Sequence, residues 1–98
     1  MHIFISGATG LIGGTVAAKA LAAGHRVSGL ARDAGKAAAL EARGIAPVIG
    51  TLNDLDLIAE AARAADATIE AADAEAHFVA RTLVDALAGS GKALIRTS

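Results

Sequence analysis

Three glycines stand three residues apart near the start of the chain, Gly7, Gly10 and Gly13, with Thr9 between the first two. They follow the short apolar run His2 to Ser6 and lead into a stretch of helix formers beginning at Leu11. A strand, a glycine turn and a helix start, in that order, make an anion cradle. The first glycine permits a tight exit from the strand, the second lets backbone approach a pyrophosphate, and the third lets the helix pack closely. The unpaired N–H groups of Leu11, Ile12 and Gly13 and the positive end of the helix dipole then face the phosphates. The spacing is G-x-x-G-x-x-G, and its position inside a strand–helix–strand unit is the context that gives such a motif meaning. No Gly-Lys-Ser/Thr follows, which excludes a Walker-type loop.

A second group that could bind charge lies at Arg32, Asp33 and Lys36. Dinucleotide sites end their second strand either in a carboxylate that takes the ribose hydroxyls or in an arginine that takes a 2′-phosphate. Arg32 fits the phosphate role, because its planar fork donates two hydrogen bonds, and Lys36 adds charge one turn later. Asp33 has two roles open to it: holding the ribose, or capping the next helix. The cap is the preferred reading, which makes NADP the expected cofactor and NAD the alternative.

The elements that must position these residues alternate strictly. The pattern predicts strands at His2–Ser6, Arg26–Ala31, Pro47–Ile49, Ala67–Ala71 and Lys92–Thr97. Helices are expected at Leu11–Ala23, from Asp33 to Arg43, from Asn53 or Asp54 to Ala65, and at Ala74–Ala88, with Gly24, Gly44, Gly89 and Gly91 as stops. Alternation forces crossovers, and right-handed crossovers give a doubly wound parallel α/β sheet of Rossmann type. The expected strand order is 3-2-1-4-5, with the ligand at the switch point between strands 1 and 4.

Composition narrows the function classes. The 98 residues carry a net charge of −1, no Cys and no Tyr. There is thus no basic excess for nucleic acid and no thiolate metal site or disulfide. His2, His25 and His77 have no metal-ligand spacing. No run approaches a membrane span or a signal peptide, so a cytoplasmic protein is expected. Of the 98 residues 27 are Ala and only Phe4 and Phe78 are aromatic, which calls for close packing of small side chains. Glu70, Asp73 and Glu75 near the end of strand 4 are read as a polar loop and helix cap rather than acid–base machinery. Asp54, Asp56, Glu60 and Arg63 are read as the solvated face of helix 3, and Ser90 and Lys92 as a turn.

The segment Ile5-Ser6-Gly7-Ala8-Thr9-Gly10-Leu11-Ile12-Gly13-Gly14 resembles the short-chain dehydrogenase/reductase superfamily, in its extended and atypical branches. These hold nucleotide-sugar epimerases, NADPH-dependent reductases and their NAD(P)-binding relatives. Gly24-His25-Arg26-Val27, Leu30-Ala31-Arg32-Asp33 and Gly50-Thr51-Leu52-Asn53-Asp54 add to the likeness. Family members often place Asp after the third-segment glycine, where it meets the adenine amino group. Thr51 stands there in this chain, so the resemblance assigns adenine to Thr51 and the Leu52 backbone. Ala71 and Ala72, at the end of strand 4, complete the implied cofactor contacts. The family's Tyr-x-x-x-Lys pair is absent, so a cofactor site is implied without catalytic residues.

The expectation is one NAD(P)-binding Rossmann domain over residues 1–98, corresponding to the amino-terminal part of a reductase or of an epimerase/dehydratase. The alternatives are a regulatory dinucleotide-binding module and a structural, oligomer-forming domain. Strand 5 is expected at an open sheet edge that favours homo-oligomers, blunted by Lys92 and Arg96.

Overall fold

In a computed structural model of the chain, residues 1–8, 10–51, 53–71 and 77–96 are described; for 11, 12, 77–80 and 96 the description covers the backbone only. Nine elements alternate along the chain: β1 (His2–Ile5), α1 (Leu11–Ala22), β2 (Arg26–Ala31), α2 (Ala34–Ala42), β3 (Ala46–Ile49), α3 (Leu55–Ala64), β4 (Ala67–Glu70), α4 (His77–Leu87) and β5 (Ala93–Arg96). The strands form one sheet in the order β3-β2-β1-β4-β5. All four pairings are parallel. The expected doubly wound α/β Rossmann architecture is therefore the observed one. Element ends differ from expectation by a residue or two, as fraying termini do. The expected start of α4 at Ala74 lies outside the described residues.

Side chains of successive strand residues point to opposite faces, and the core divides accordingly. On one face Ile3, Ile5, Val27, Ala31 and Ile69 pack with Ala17 of α1 and with Ala37 and Leu40 of α2. On the other, Phe4 and Leu30 pack with Ile58 and Ala62 of α3 and Leu83 and Leu87 of α4. Phe4 is fully buried, worth about 2–3 kcal/mol of transfer free energy. Small residues set how closely the layers approach. A Cβ on Gly29 of β2 would lie 2.7 Å from the Ala8 Cβ, so glycine there lets the turn after β1 settle onto β2.

Helix stops fall where the sequence places them. Gly24, Gly44, Gly89 and Gly91 have φ of 89, 82, 75 and 74°, the left-handed region that glycine enters without a Cβ penalty. At the amino edge of the sheet, His2 N donates to Asp66 Oδ2 at 2.7 Å. That bond holds the Asp66 carboxyl below the usual carboxylate range, against desolvation, with lesser help from the N-terminal amine, Lys92 and His2. His2 Nε2 pairs with Ser28 Oγ at 2.8 Å, and His25 Nδ1 with the N-terminal amine at 3.1 Å.

β5 forms one edge of the sheet, with Ile95 54% exposed. Its expected guard is placed differently. Lys92 Nζ donates to the Arg63 carbonyl at the end of α3, so this cation ties the turn to a helix instead of standing over the strand edge. The Arg96 side chain lies outside the described residues. Ser90 forms the expected turn, donating to the Leu87 carbonyl at 2.7 Å and accepting from Lys92 N at 3.1 Å. Among the described residues no helix is long and apolar enough to cross a membrane, and no group of His, Asp or Glu could hold a metal ion.

Candidate dinucleotide site

β1 ends at Ile5, and the chain turns at once into α1 at the carboxyl edge of the sheet, beside the end of β4. Gly10 N donates to the Gly7 carbonyl at 3.0 Å, closing the turn. Gly14 N donates to the Gly10 carbonyl at 2.8 Å, the first bond of α1. The N–H groups of Leu11, Ile12 and Gly13 thus have no partner within the helix. Gly10 is the N-cap residue, without a side-chain cap, and no acidic residue stands in the first turn. The positive end of α1 thus meets no cap and no acidic side chain of its own first turn.

The motif glycines serve different purposes. A Cβ on Gly13 would fall 1.9 Å from the Gly7 carbonyl oxygen and 2.5 Å from its carbon, so only glycine fits where α1 packs on its own turn. Gly10 is exposed, and a Cβ there would meet nothing nearer than the Gly7 carbonyl at 3.4 Å. Its φ of −81° suits any residue. The absence of a side chain at Gly10 is thus not demanded by contacts with the described residues, and it leaves the surface of the turn open. The turn also departs from expectation in one respect: the positive-φ glycines among the described residues are all helix stops, so the exit from β1 is tight without left-handed backbone. Thr9 lies outside the described residues.

Beyond α1, an open groove of about 390 Å³ is lined by Gly10, Gly14, Thr15, Ala18 and Arg43. Arg43 reaches from the end of α2 and donates through Nη2 to the Gly14 carbonyl at 2.9 Å. A Cβ on Gly14 would come within 3.2 Å of that guanidinium. Sequence reasoning missed this contact; the fourth glycine, directly after the motif, was its only trace.

At the end of β2, Arg32 and Lys36 are both exposed. Asp33 is the N-cap of α2, and its Oδ1 accepts from Lys36 N at 2.8 Å. The expected cap is therefore formed, and Arg32 is left as the cation at the strand end. After β3, Gly50 N donates to the Ala31 carbonyl at 2.8 Å, which seats the Gly50–Thr51 turn beside Arg32. The expected cap of α3 is not made. Asp54 occupies the N-cap position without a cap bond. Its Oδ2 accepts instead from Thr51 N at 2.6 Å and from Thr51 Oγ1 at 3.3 Å. Thr51 Oγ1 in turn accepts from Asn53 N at 3.2 Å. The spacing Thr51-x-x-Asp54 was the available signal: the acid reaches back to the Thr N–H as in one arm of a capping box. Leu52 and Ala72 lie outside the described residues; Ala71 follows β4 and is half-buried.

Glu70 corrects the polar-loop reading. It is the last residue of β4, 2% exposed. It lies two positions after Thr68, which pairs in register with Phe4, so both share the α3–α4 face. Asp73 and Glu75, its expected companions, lie outside the described residues.

A parallel sheet in the order 3-2-1-4-5, with a bare helix N-terminus at its switch point, defines a Rossmann-type dinucleotide-binding domain. The model of an NAD(P)H-binding family matches residues 7–95, and the chain belongs to that family. It is 44% identical over 72 residues to an uncharacterized protein of Schizosaccharomyces pombe, a match covering 74% of this chain and 24% of that protein. The anaerobilin reductase ChuY of Escherichia coli O157:H7 superposes with a TM-score of 0.81 at 26% identity, over 98% of this chain and 50% of that one. Leucoanthocyanidin reductase of Vitis vinifera, in binary complex with NADPH, gives 0.73 at 28% identity, over 95% and 34%. The chain thus spans about a quarter of the curated relatives it matches and half or less of these solved structures.

Proposed function

We propose that this chain binds NADP(H), with the pyrophosphate over Gly10 against the N–H groups of Leu11, Ile12 and Gly13, and the 2′-phosphate at Arg32 with Lys36 beside it. The observation that carries this reading is the start of α1, a helix end with neither a side-chain cap nor an acidic first turn. Asp33 caps α2 through Oδ1, and the exposed cation Arg32 at the strand end favours NADP over NAD. The NADPH complex of the leucoanthocyanidin reductase supports the same choice.

The domain serves as the cofactor-binding part of a reductase or epimerase-like enzyme, in which the nicotinamide supplies hydride transfer when bound. With no Tyr among the 98 residues, the isolated chain binds cofactor without turnover. The test is calorimetric titration of the chain and its Gly10→Val variant with NADPH and NADH. The variant is expected to fold, since among the described residues its Cβ meets only the Gly7 carbonyl at 3.4 Å, which its melting curve checks, and it should lose binding. Equal affinity in the two proteins would refute the phosphate cradle.

A second reading concerns assembly. Ala93 and Ile95 are exposed on the edge strand β5, and apolar edges pair with other chains. The isolated chain should therefore self-associate at micromolar concentration in sedimentation; a monodisperse monomer would contradict this.

A further inference from the structure

The first turn of α1 is a weak piece of helix. Gly13 and Gly14 stand side by side in it, and glycine weakens a helix interior because its backbone has the most freedom to lose. Its N-cap, Gly10, has no side chain to offer, and no acidic residue in the turn offsets the dipole. Yet this turn must aim the N–H groups that the reading above assigns to the pyrophosphate.

The two glycines answer different needs. A Cβ on Gly13 would strike the Gly7 carbonyl. At Gly14 the nearest atom is Arg43 Nη1 at 3.2 Å, ahead of the Ala8 carbonyl oxygen at 3.4 Å, so this glycine admits a guanidinium. Arg43 reaches it from a fixed base. It is the C-cap residue of α2, and its N–H donates at 3.0 Å to the carbonyl of Leu40, a core residue. The dipole of α2 favours a cation at that helix's own carboxyl end. Nη2 donates instead to the Gly14 carbonyl at 2.9 Å, across 29 residues, beside the positive start of another helix. A charge-assisted bond made against that field is a tether on the first turn of α1.

We infer that Arg43 is a positioning residue of the dinucleotide site: through the Gly14 carbonyl it holds the first turn of α1 in the shape that presents the N–H groups of Leu11, Ile12 and Gly13. This rests on the NADP(H) reading above and deepens it. The experiment combines amide exchange with calorimetric titration of NADPH, on wild type, Arg43→Met and Arg43→Lys. Met keeps the apolar stem without the donors. The Gly14 amide makes the first bond of α1. In ligand-free Arg43→Met it should exchange about tenfold faster, because a hydrogen bond from a charged group is lost nearby, while the Phe4 amide in β1 keeps its rate. NADPH affinity, measured well below the melting midpoint, should fall about fivefold as the competent turn becomes less populated. Arg43→Lys, which keeps one charged donor, should lie between wild type and Arg43→Met in both. Faster Gly14 exchange with unchanged affinity would make the tether purely structural and overturn the inference. Weaker binding with unchanged exchange would show the Arg43 charge acting on the ligand directly, and overturns it too, as does an Arg43→Met variant that matches wild type in both. If wild type binds neither dinucleotide, the NADP(H) reading falls and the inference with it; the other failures leave wild-type binding intact.

Discussion

Of the helices that begin at the carboxyl edge of this sheet, the one after β1 and the one after β2 treat their free N–H groups in opposite ways. α2 satisfies itself: Asp33 caps it through a 2.8 Å bond to Lys36 N. α1 opens on Gly10, uncapped and with no acidic residue in its first turn. An Asp cap is worth a few tenths of a kcal/mol more than a Gly cap, so α1 forgoes a little stability that its neighbour takes. The difference shows that an uncompensated helix start is meaningful when a self-capped one lies beside it on the same edge. On the proposed reading, a bound pyrophosphate would supply what α1 lacks in side chains, as negative charge and acceptor oxygens.

The comparison can be broken most severely at Gly13. Gly13→Val puts a side chain into the Gly7 carbonyl, 1.9 Å from the ideal Cβ, and forces α1 off its turn. A loss of about 3 kcal/mol or more is expected, seen as a fall in thermal midpoint on the order of 15 °C. A variant as stable as wild type would show that α1 does not depend on this close approach.

Gly10→Asp makes α1 resemble α2. The φ of −81° and ψ of 172° at Gly10 already suit a capping residue. The variant should gain a few tenths of a kcal/mol of stability while losing roughly a hundredfold or more in NADPH affinity, because a carboxylate takes the place of the phosphate and repels it. Thermal melts and calorimetry on one preparation read both effects. Tighter binding with the new carboxylate would contradict the anion site.

Smaller effects separate the cation from the cap at the end of β2. Arg32→Ala should cut the preference for NADPH over NADH by about ten- to hundredfold and leave stability unchanged, as expected of an exposed side chain. Asp33→Ala should do the reverse, costing about 1 kcal/mol with the preference intact. If Asp33→Ala instead weakens NADH selectively, Asp33 holds the ribose and the contrast between the two helix starts loses its functional meaning.

Much of this was legible in the sequence because it depends on local periodicity and on special residues. Apolar runs of four to six residues, helix stops at Gly24 and Gly44, and a potential N-cap at Asp33 are short-range signals, and alternation with short connections leaves few topologies besides the one observed. Gly7, Gly10 and Gly13, between an apolar run and a stretch of helix formers, announced a tight strand-to-helix turn. Tertiary structure decided the rest, since only packing brings distant segments within reach. It separated Gly13, which α1 needs in order to sit on its turn, from Gly10, which the fold does not need. It drew Arg43 onto the Gly14 carbonyl from 29 residues away, buried Glu70 within the sheet, and turned Lys92 onto the end of α3. It also swung the Asp54 carboxylate from the helix it was expected to cap to the Thr51 N–H. One-dimensional spacing lists the partners available to a polar side chain. Which partner it takes is settled by the distance and direction that packing imposes, because a hydrogen bond weakens steeply outside a narrow geometry.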